Sequence, residues 1–381
     1  MARKKKKTAK PDARPRRLRT KVRQRKDALA QLRGRIDALD GRLVELLDAR
    51  AGLVHRVGKV KRRERRSFYD PDRAQSVIER ATARARQFPA AALRNIFGEI
   101  TNASLLLECP LRVAYLGPEA TYTHLAALKR FGPEAEYQPQ VTLTDVFEEV
   151  TAGRADCGIV PVENSTEGMV SHTHDLLVAS DLAVSGEVHL PVAHNLVGRL
   201  RTLAEVKTVY SKDHALAQCR EWLEKHLPQA KLRETTSTAA AAQRAAHEKG
   251  AAAICGALAA RLYGLRIMAS NLGGRADNIT RFIVISRELP PPSRHDKTSV
   301  AFSLKDRPGA LFGALKSFAR EGVNMTRIES RPTRRRAWEY IFFVDLEGGM
   351  QEARIKRALH RLQVQTSFFK VLGSYPRERG A

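Results

Sequence analysis

The chain has 381 residues and a formal net charge of +26, with 43% hydrophobic and 28% charged side chains. That length exceeds what one hydrophobic core supports, so two or three domains are expected. No run of eighteen apolar residues occurs, MARKKKKTAK lacks the apolar stretch of a secretion signal, and Cys109, Cys157, Cys219 and Cys255 show no CxxC spacing; these features argue against a membrane span, a zinc site and a disulfide frame, and for reduced thiols in the cytoplasm.

Residues 1–26 hold fourteen Lys or Arg and a single acid, Asp12, so half of the net charge lies in a short tail. Such a block reads as a disordered, solvated extension, and nucleic acid enters only as a partner of this tail. The remaining positive charge is compatible with a small anionic substrate.

From Asp27 to about Arg63, Leu29, Leu32, Ile36, Leu39, Leu43, Leu46, Val54 and Val57 recur at three-four spacing, which predicts a long helix burying one stripe against other helices. Arg50 and Lys61 take stripe positions eleven residues apart, almost a whole number of turns, so they project from one face. Arg33 lies roughly 100° around the helix from Arg50 and would serve a different site. Asp70-Pro71 supplies an N-cap and a first-turn proline for a helix carrying Arg73. A third helix begins near Pro89 and runs to Pro110, with Ser104 and Glu108 four apart on one face. Single cations of this kind usually snorkel to water, but several near one apolar seam call for an anion, because unpaired buried charge is costly.

Residues 27–109 resemble the all-helical chorismate mutase family, in which chorismate, a dicarboxylate, rearranges to prephenate without a nucleophile. The resemblance implies that Arg50, and Arg33 from a second chain, hold the carboxylates and that Lys61 meets the ether oxygen and a carboxylate. Arg73, the Asp70 backbone and Ser104 would line the pocket. Ala74 stands where a glutamate would contact the substrate hydroxyl. Glu108 stands where glutamine is common and would have to be protonated to donate, a state that burial favours. A helical module that only dimerises is the alternative.

From Leu111 short apolar strands alternate with helices, an α/β pattern. Leu111 to Leu116 reads as a strand, followed by GPEATYTH and a helix to Phe131; a helix from Asp145 to Ala152 precedes the strand GIVPV, which runs into ENSTEG. A helix from Met169 to Ala179 follows, and a second lobe starts near His194. It holds a strand from Val206, a helix from Ala215 to Lys225, the turn Thr235-Thr236-Ser237-Thr238 opening an alanine-rich helix, and a strand ending at Cys255. The chain returns through DNITRFIVI, residues 277–285. Three strand-to-helix junctions thus carry hydroxyl or amide clusters at Thr121, at Asn164-Ser165-Thr166 and at Thr236-Ser237-Thr238. Each alone is usually an N-cap, whereas together they suit a cleft for a carboxylate.

YLGPEATYTH, VPVENSTEG and DNITRF, in that order, are similar to prephenate dehydratase over residues 111–288. The resemblance implies a periplasmic-binding-like pair of lobes with prephenate between them, losing water and carbon dioxide to give phenylpyruvate without metal or organic cofactor. It assigns catalysis to Thr280, supported by Arg281 and Phe282, with Asn164, Ser165 and Thr166. Thr121, Glu163, Thr236, Ser237 and Thr238 would bind substrate. Ala120 stands where glycine is common, and Ser211-Lys212-Asp213-His214 departs from the usual turn, leaving His214 better read as an exposed histidine.

Pro290-Pro291-Pro292 is a stiff boundary. Beyond it strand, helix, strand, strand, helix, strand is expected, a ferredoxin-like order whose sheet leaves one face needing a neighbour. KDRPGALFGAL and IESRP resemble the ACT regulatory domain, residues 298–375, implying phenylalanine held between paired domains by Gly309, Ala310, Leu311, Asn324, Glu329, Ser330, Arg331 and Pro332. The whole is expected to be multidomain: an all-α mutase-like domain, a two-lobed α/β dehydratase domain and an α+β ACT domain. The resemblance implies an enzyme of phenylalanine biosynthesis, a homodimer or higher homo-oligomer, using chorismate and prephenate and inhibited by phenylalanine. A dehydratase with an inert helical domain, and an amino-acid-binding regulator with a nucleic-acid-binding tail, are the rival readings.

Overall fold

The computed structural model describes residues 16–64, 70–108, 111–133, 135–273, 278–293, 295–332 and 339–378. Three helices come first: α1 (Arg16–Arg63), α2 (Pro71–Ala83) and α3 (Ala90–Glu108), with α3 packed on both others. The reading of residues 1–26 as an unstructured tail is corrected for 16–26, which are helical; residues 1–15 lie outside the described residues. The sequence 16–26 has no Pro or Gly, and extending an existing helix needs no new nucleus. Asp70 caps α2 as expected, its Oδ1 accepting the Arg73 N–H at 2.9 Å. The apolar stripe of α1 is not buried within one chain: Leu39, Leu43, Leu46 and Val57 are exposed, and of the expected stripe residues Val54 alone is buried.

The first lobe consists of β1 (Arg112–Leu116), α4 (Tyr122–Phe131), β2 (Glu136–Gln140), α5 (Leu143–Thr151), β3 (Cys157–Asn164), β4 (Gly168–Met169), α6 (Ser171–Ala179) and β5 (Ala183–Pro191). The second lobe holds β6 (Asn195–Gly198), β7 (Thr208–Ser211), α7 (Asp213–Gln218), α8 (Arg220–His226), β8 (Lys231–Glu234), α9 (Thr238–His247), β9 (Ala251–Cys255), α10 (Ala257–Leu262) and β10 (Arg266–Ala269). The helix expected over 215–225 is therefore two, interrupted at Cys219. The chain then re-enters the first sheet as β11 (Ile279–Ser286), lying between β3 and β5 and antiparallel to both. The sheet orders are β2-β1-β3-β11-β5 and β10-β6-β9-β7-β8. Each sheet has apolar clusters on both faces, which is why inner strands such as β3, β9 and β11 carry continuous apolar runs.

The C-terminal domain is β12 (Asp296–Leu304), α11 (Ala310–Arg320), β13 (Met325–Pro332), β14 (Tyr340–Glu347), α12 (Ala353–Gln363) and β15 (Thr366–Pro376), with sheet order β13-β14-β12-β15. Its helices cover one face through Phe318, Ile355 and Leu362. The other face finds its neighbour in the first-lobe sheet, where Ala301, Phe343, Leu372 and Tyr375 share one core with Val184, Ile283 and Ile285. At Gly373 a Cβ would lie 2.1 Å from the Val184 carbonyl oxygen, so only glycine permits this approach. Charges are also buried at this junction: Arg281 meets Asp345 at 2.6 Å and Glu187 at 3.0 Å, and Lys297 meets Glu187 at 2.7 Å. No helix among the described residues is long and apolar enough to cross a membrane.

Ala120 explains why glycine suits its position. Its φ is 63°, in the left-handed region, while its N–H donates to His124 Nδ1 at 3.0 Å and the His124 ring stacks on Tyr115. A Cβ in that region is strained by about 1 kcal/mol or more. Ala120→Gly is expected to stabilise the protein by about 1 kcal/mol, read as a rise in the denaturant midpoint; an unchanged or lower midpoint would contradict the strain.

Candidate active site between the two lobes

The end of β3, the start of β11 and the end of α7 converge on one hydrogen-bond network. Asn164 Nδ2 donates to Thr280 Oγ1 at 2.8 Å and to Asn278 Oδ1 at 2.9 Å. Its Oδ1 accepts the N–H groups of Thr166 and Glu167 at 2.9 and 3.0 Å, an Asx turn that shapes the loop after β3. Every donor and acceptor of Asn164 is used, so the amide has one orientation. Because Thr280 Oγ1 accepts from Asn164, the hydroxyl hydrogen of Thr280 is left to donate elsewhere. Ser165 pins the loop to β11: its Oγ accepts from Ile279 N–H at 3.0 Å, and its N–H donates to the Ile279 carbonyl at 2.9 Å.

The network crosses to the second lobe through Gln218. Its Oε1 accepts from Asn278 Nδ2 at 3.0 Å and from His194 Nε2 at 2.9 Å, and its Nε2 donates to Glu167 Oε1 at 2.8 Å. Burial lowers the His194 pKa, partly opposed by this hydrogen bond, which fits a neutral ring with its proton on Nε2. A cavity of about 980 Å³ opens beside the network, lined among others by Thr166, His194, Gln218, Arg220, Asn271 and Asn278. Sequence reasoning missed Gln218, Asn278 and His194 as site residues. Asn278 was legible, since it lies two residues before Thr280 and a strand places such residues on one face; Gln218 sits at a helix end with no pattern to mark it.

Other expected residues go elsewhere. Thr121 caps α4, accepting from His124 N–H and donating to the Leu116 carbonyl, and Ser237 caps α9 by accepting from Ala240 N–H. Thr236 is exposed and Thr238 opens α9. Tyr122 reaches further than Thr121, its OH donating to the Ala193 carbonyl at 2.7 Å. Phe282 is buried in the core beside Tyr115 and Val188. Glu163 and Arg281 are separated from the cleft set and turned to the face that meets the C-terminal sheet, Arg281 by alternation along β11 and Glu163 by a register shift in β3 that leaves Val162 and Glu163 on the same face. His214 is exposed, as expected, and pairs with Glu167 at 3.2 Å.

In the helical domain Arg50 Nη1 donates to Ser104 Oγ, whose hydroxyl donates in turn to the Ile100 carbonyl, so two expected pocket residues meet. Lys61 is half-buried, Arg33 and Arg73 are exposed, and the Asp70 carboxylate serves as a cap. The Glu108 side chain lies outside the described residues. In the C-terminal domain Gly309, with φ 77°, turns the chain into Ala310 and Leu311. Asn324 donates to Glu347 at 2.9 Å. Along β13 Ser330 and Pro332 are exposed and Glu329 is half-buried, whereas Arg331 is buried against α6, bonded to the Ser171 carbonyl and Asp175. Strand alternation thus removes Arg331 from the exposed side of the ESRP segment.

A family model described as prephenate dehydratase matches residues 113–290, one described as chorismate mutase type II matches residues 32–108, and one described as ACT domain matches residues 298–363. The class is therefore a helical mutase and a two-lobed dehydratase joined to an ACT domain. A bifunctional chorismate mutase/prephenate dehydratase of Aquifex aeolicus is 44% identical over 92% of this chain and 98% of its own, and that of Escherichia coli K12 is 32% identical over 92% and 96%. A crystal structure of prephenate dehydratase in complex with L-Phe from Arthrobacter aurescens superposes with a TM-score of 0.65 at 37% identity, covering 70% of this chain and 90% of that one. The chain belongs to the bifunctional chorismate mutase/prephenate dehydratase family.

Asn164→Asp replaces the amide donor by a carboxylate, which would accept the Thr280 proton and hold it out of the cleft. Turnover of prephenate is expected to fall about 100-fold or more in kcat, measured as phenylpyruvate formed; a loss smaller than threefold would show that the Asn164–Thr280 bond does not orient the hydroxyl.

Proposed function

We propose that the chain performs two consecutive steps toward phenylalanine: rearrangement of chorismate to prephenate in the helical domain, then conversion of prephenate to phenylpyruvate between the lobes, with phenylalanine sensed by the ACT domain. The observation that carries the second step is the Asn164–Thr280–Asn278 hydrogen-bond cluster, whose Asn278 lines the interlobe cavity. In prephenate the bond to the ring carboxylate breaks, its electron pair enters the ring, and the ring hydroxyl leaves as water after gaining a proton. Aromatisation supplies the driving force, so a donor positioned at the departing oxygen suffices. Thr280, accepting from Asn164, has its own hydrogen free for that oxygen. Gln218 ties the two lobes around the substrate, and Asn278 supports it. Thr166 meets the charged end of the substrate, with Arg220 on the cavity wall.

The first step needs no bond to the protein, only a held conformation and positive charge beside the ether oxygen. Arg50, aligned by Ser104, and Lys61 on the same face of α1 supply this. The exposed stripe Leu29 to Leu46 supports a dimer in which a second α1 covers the seam and contributes its Arg33.

Product analysis after adding chorismate tests both steps together. The wild type is expected to release phenylpyruvate. Thr280→Ala should accumulate prephenate, with dehydration down about 100-fold or more, and Thr280→Ser should recover most of it. Arg50→Ala should lose about 100-fold in chorismate turnover while converting supplied prephenate normally. A folded Thr280→Ala variant as fast as its parent would overturn the dehydratase assignment.

The shared seam predicts that the double substitution Leu39→Glu and Leu43→Glu abolishes chorismate turnover and spares prephenate turnover. Undiminished chorismate turnover would exclude a mutase site completed by a second chain.

A further inference from the structure

The side of β13 that faces the first lobe carries two arginines four residues apart, and both reach the segment that forms the catalytic loop. Arg327 Nε lies 3.0 Å from Glu163 Oε2, and its Nη1 lies 3.4 Å from His174 Nε2. Arg331 bonds to the Ser171 carbonyl and to the Asp175 carboxylate. Glu163 is the last residue before Asn164, while Ser171 opens α6 just beyond the loop and Asp175 lies one turn further along it. Two residues of one strand separated by four positions are about 13 Å apart. An ACT strand therefore splints both ends of the segment that holds Asn164, Ser165 and Thr166.

The guanidinium of Arg327 is largely buried, its side chain 12% exposed, and Arg281 is a second cation near Glu163, at 3.9 Å. In the ladder Glu163 stands opposite Arg281, one residue from Thr280, and Asn164 stands opposite Thr280 itself. A shift of Glu163 thus moves the backbone of both partners in the Asn164–Thr280 hydrogen bond. The opposite side of β13 presents Thr326, Ile328, Ser330 and Pro332 to solvent, and it includes part of the ESRP segment.

We propose that Arg327, a residue of the ACT domain, is a positioning residue for dehydration: its pairing with Glu163 fixes the strand end that carries Asn164, and phenylalanine acts on the cleft by displacing this pair. The inference rests on the proposed dehydratase site and adds to it a specific link from the sensor. It differs from a purely structural role in what it changes, which is the rate of dehydration and its response to phenylalanine rather than folding or mutase activity.

The test compares Arg327→Gln, Arg327→Lys, Glu163→Gln and the double variant Arg327→Gln/Glu163→Gln in the full chain. Prephenate turnover is measured with and without phenylalanine, phenylalanine binding by calorimetry, and chorismate turnover as the folding control. Arg327→Gln is expected to lower kcat for prephenate about tenfold with KM little changed, to bind phenylalanine yet lose most of its inhibition, and to keep chorismate turnover. Arg327→Lys should recover part of the rate, and the double variant should be no slower than the worse single one, because both remove the same pair. The proposal is overturned if Arg327→Gln keeps both rate and inhibition, if the single losses multiply in the double variant, or if both single variants lose chorismate turnover as well. A wild type unable to convert prephenate would instead overturn the dehydratase reading, and this inference with it.

Discussion

The buried charge cluster between the first-lobe sheet and the ACT sheet is the constraint on which the arrangement of the molecule depends. Arg281 on β11 and Glu187 on β5 meet Lys297 on β12, Asp345 on β14 and Tyr375 on β15, with the Ser299 hydroxyl donating to Asp345 and sharing a hydrogen bond with Tyr375. Charges removed from water are tolerable only when each has its partners, and deleting one member of a buried pair typically costs about 3–5 kcal/mol. Five strands from two domains must therefore dock in one register to satisfy the cluster. Burial would raise the Asp345 pKa, but the Arg281 charge and the Ser299 hydrogen bond outweigh it and hold the carboxyl below its usual value. Arg281 is likewise held charged: burial opposes this, and the groups around it, Tyr375, Asp345 and Glu187, prevail.

That docking divides the labour of the TRF segment. Thr280 faces the cleft, Arg281 faces the ACT sheet, and Phe282 fills the core beside Tyr115. The same division holds on β3, where Asn164 faces the cleft and Glu163 the sensor. Residues adjacent in the chain therefore act on opposite sides of one sheet. A motif that looks like a single functional unit in sequence serves two faces in space, one carrying the Asn164–Thr280 network and one the buried charge cluster.

What was legible in the sequence follows the same logic. Period-two and three-four apolar patterns gave the ACT order and the three mutase-like helices, because each of those elements carries one apolar face. The strand Ala183–Pro191 was not foreseen, since Glu187 and His189 interrupt its apolar pattern and the partners of Glu187, Arg281 and Lys297, lie far away in the chain. Glu136–Gln140 was missed for a related reason: it is an edge strand with no apolar run, and Pro139 argues against a strand. The break at Cys219 leaves the apolar spacing of 215–225 intact, so periodicity could not show it. In the cleft, Asn164 and Thr280 were identified through motif resemblance, whereas Gln218 is placed only by the approach of the second lobe. Thr121 and Ser237 stood out because caps and anion sites use the same residues, and the structure shows them acting as caps.

A sensor on the back of the catalytic sheet can influence a cleft it never touches only if it holds something that the cleft needs. The groups that the ACT sheet meets, Glu163, Ser171, His174, Val184 and Glu187, all belong to the first lobe, whereas Gln218 reaches the network from the second. Between sensor and cleft lies His174, buried against Phe343, its Nδ1 donating to the Val170 carbonyl so that Nε2 is left bare toward Arg327. Burial lowers its pKa to about 4, so at neutral pH it adds no third cation beside Arg327 and Arg281. That neutrality allows two arginines to sit near one glutamate without a further proton disturbing the balance. An effector can change catalysis only through a difference in its affinity for two arrangements of the protein. The charge cluster at β11, β12, β14 and β15 ties down the rest of the interface, so the proposed effect of phenylalanine would act where β13 packs on β3 and α6.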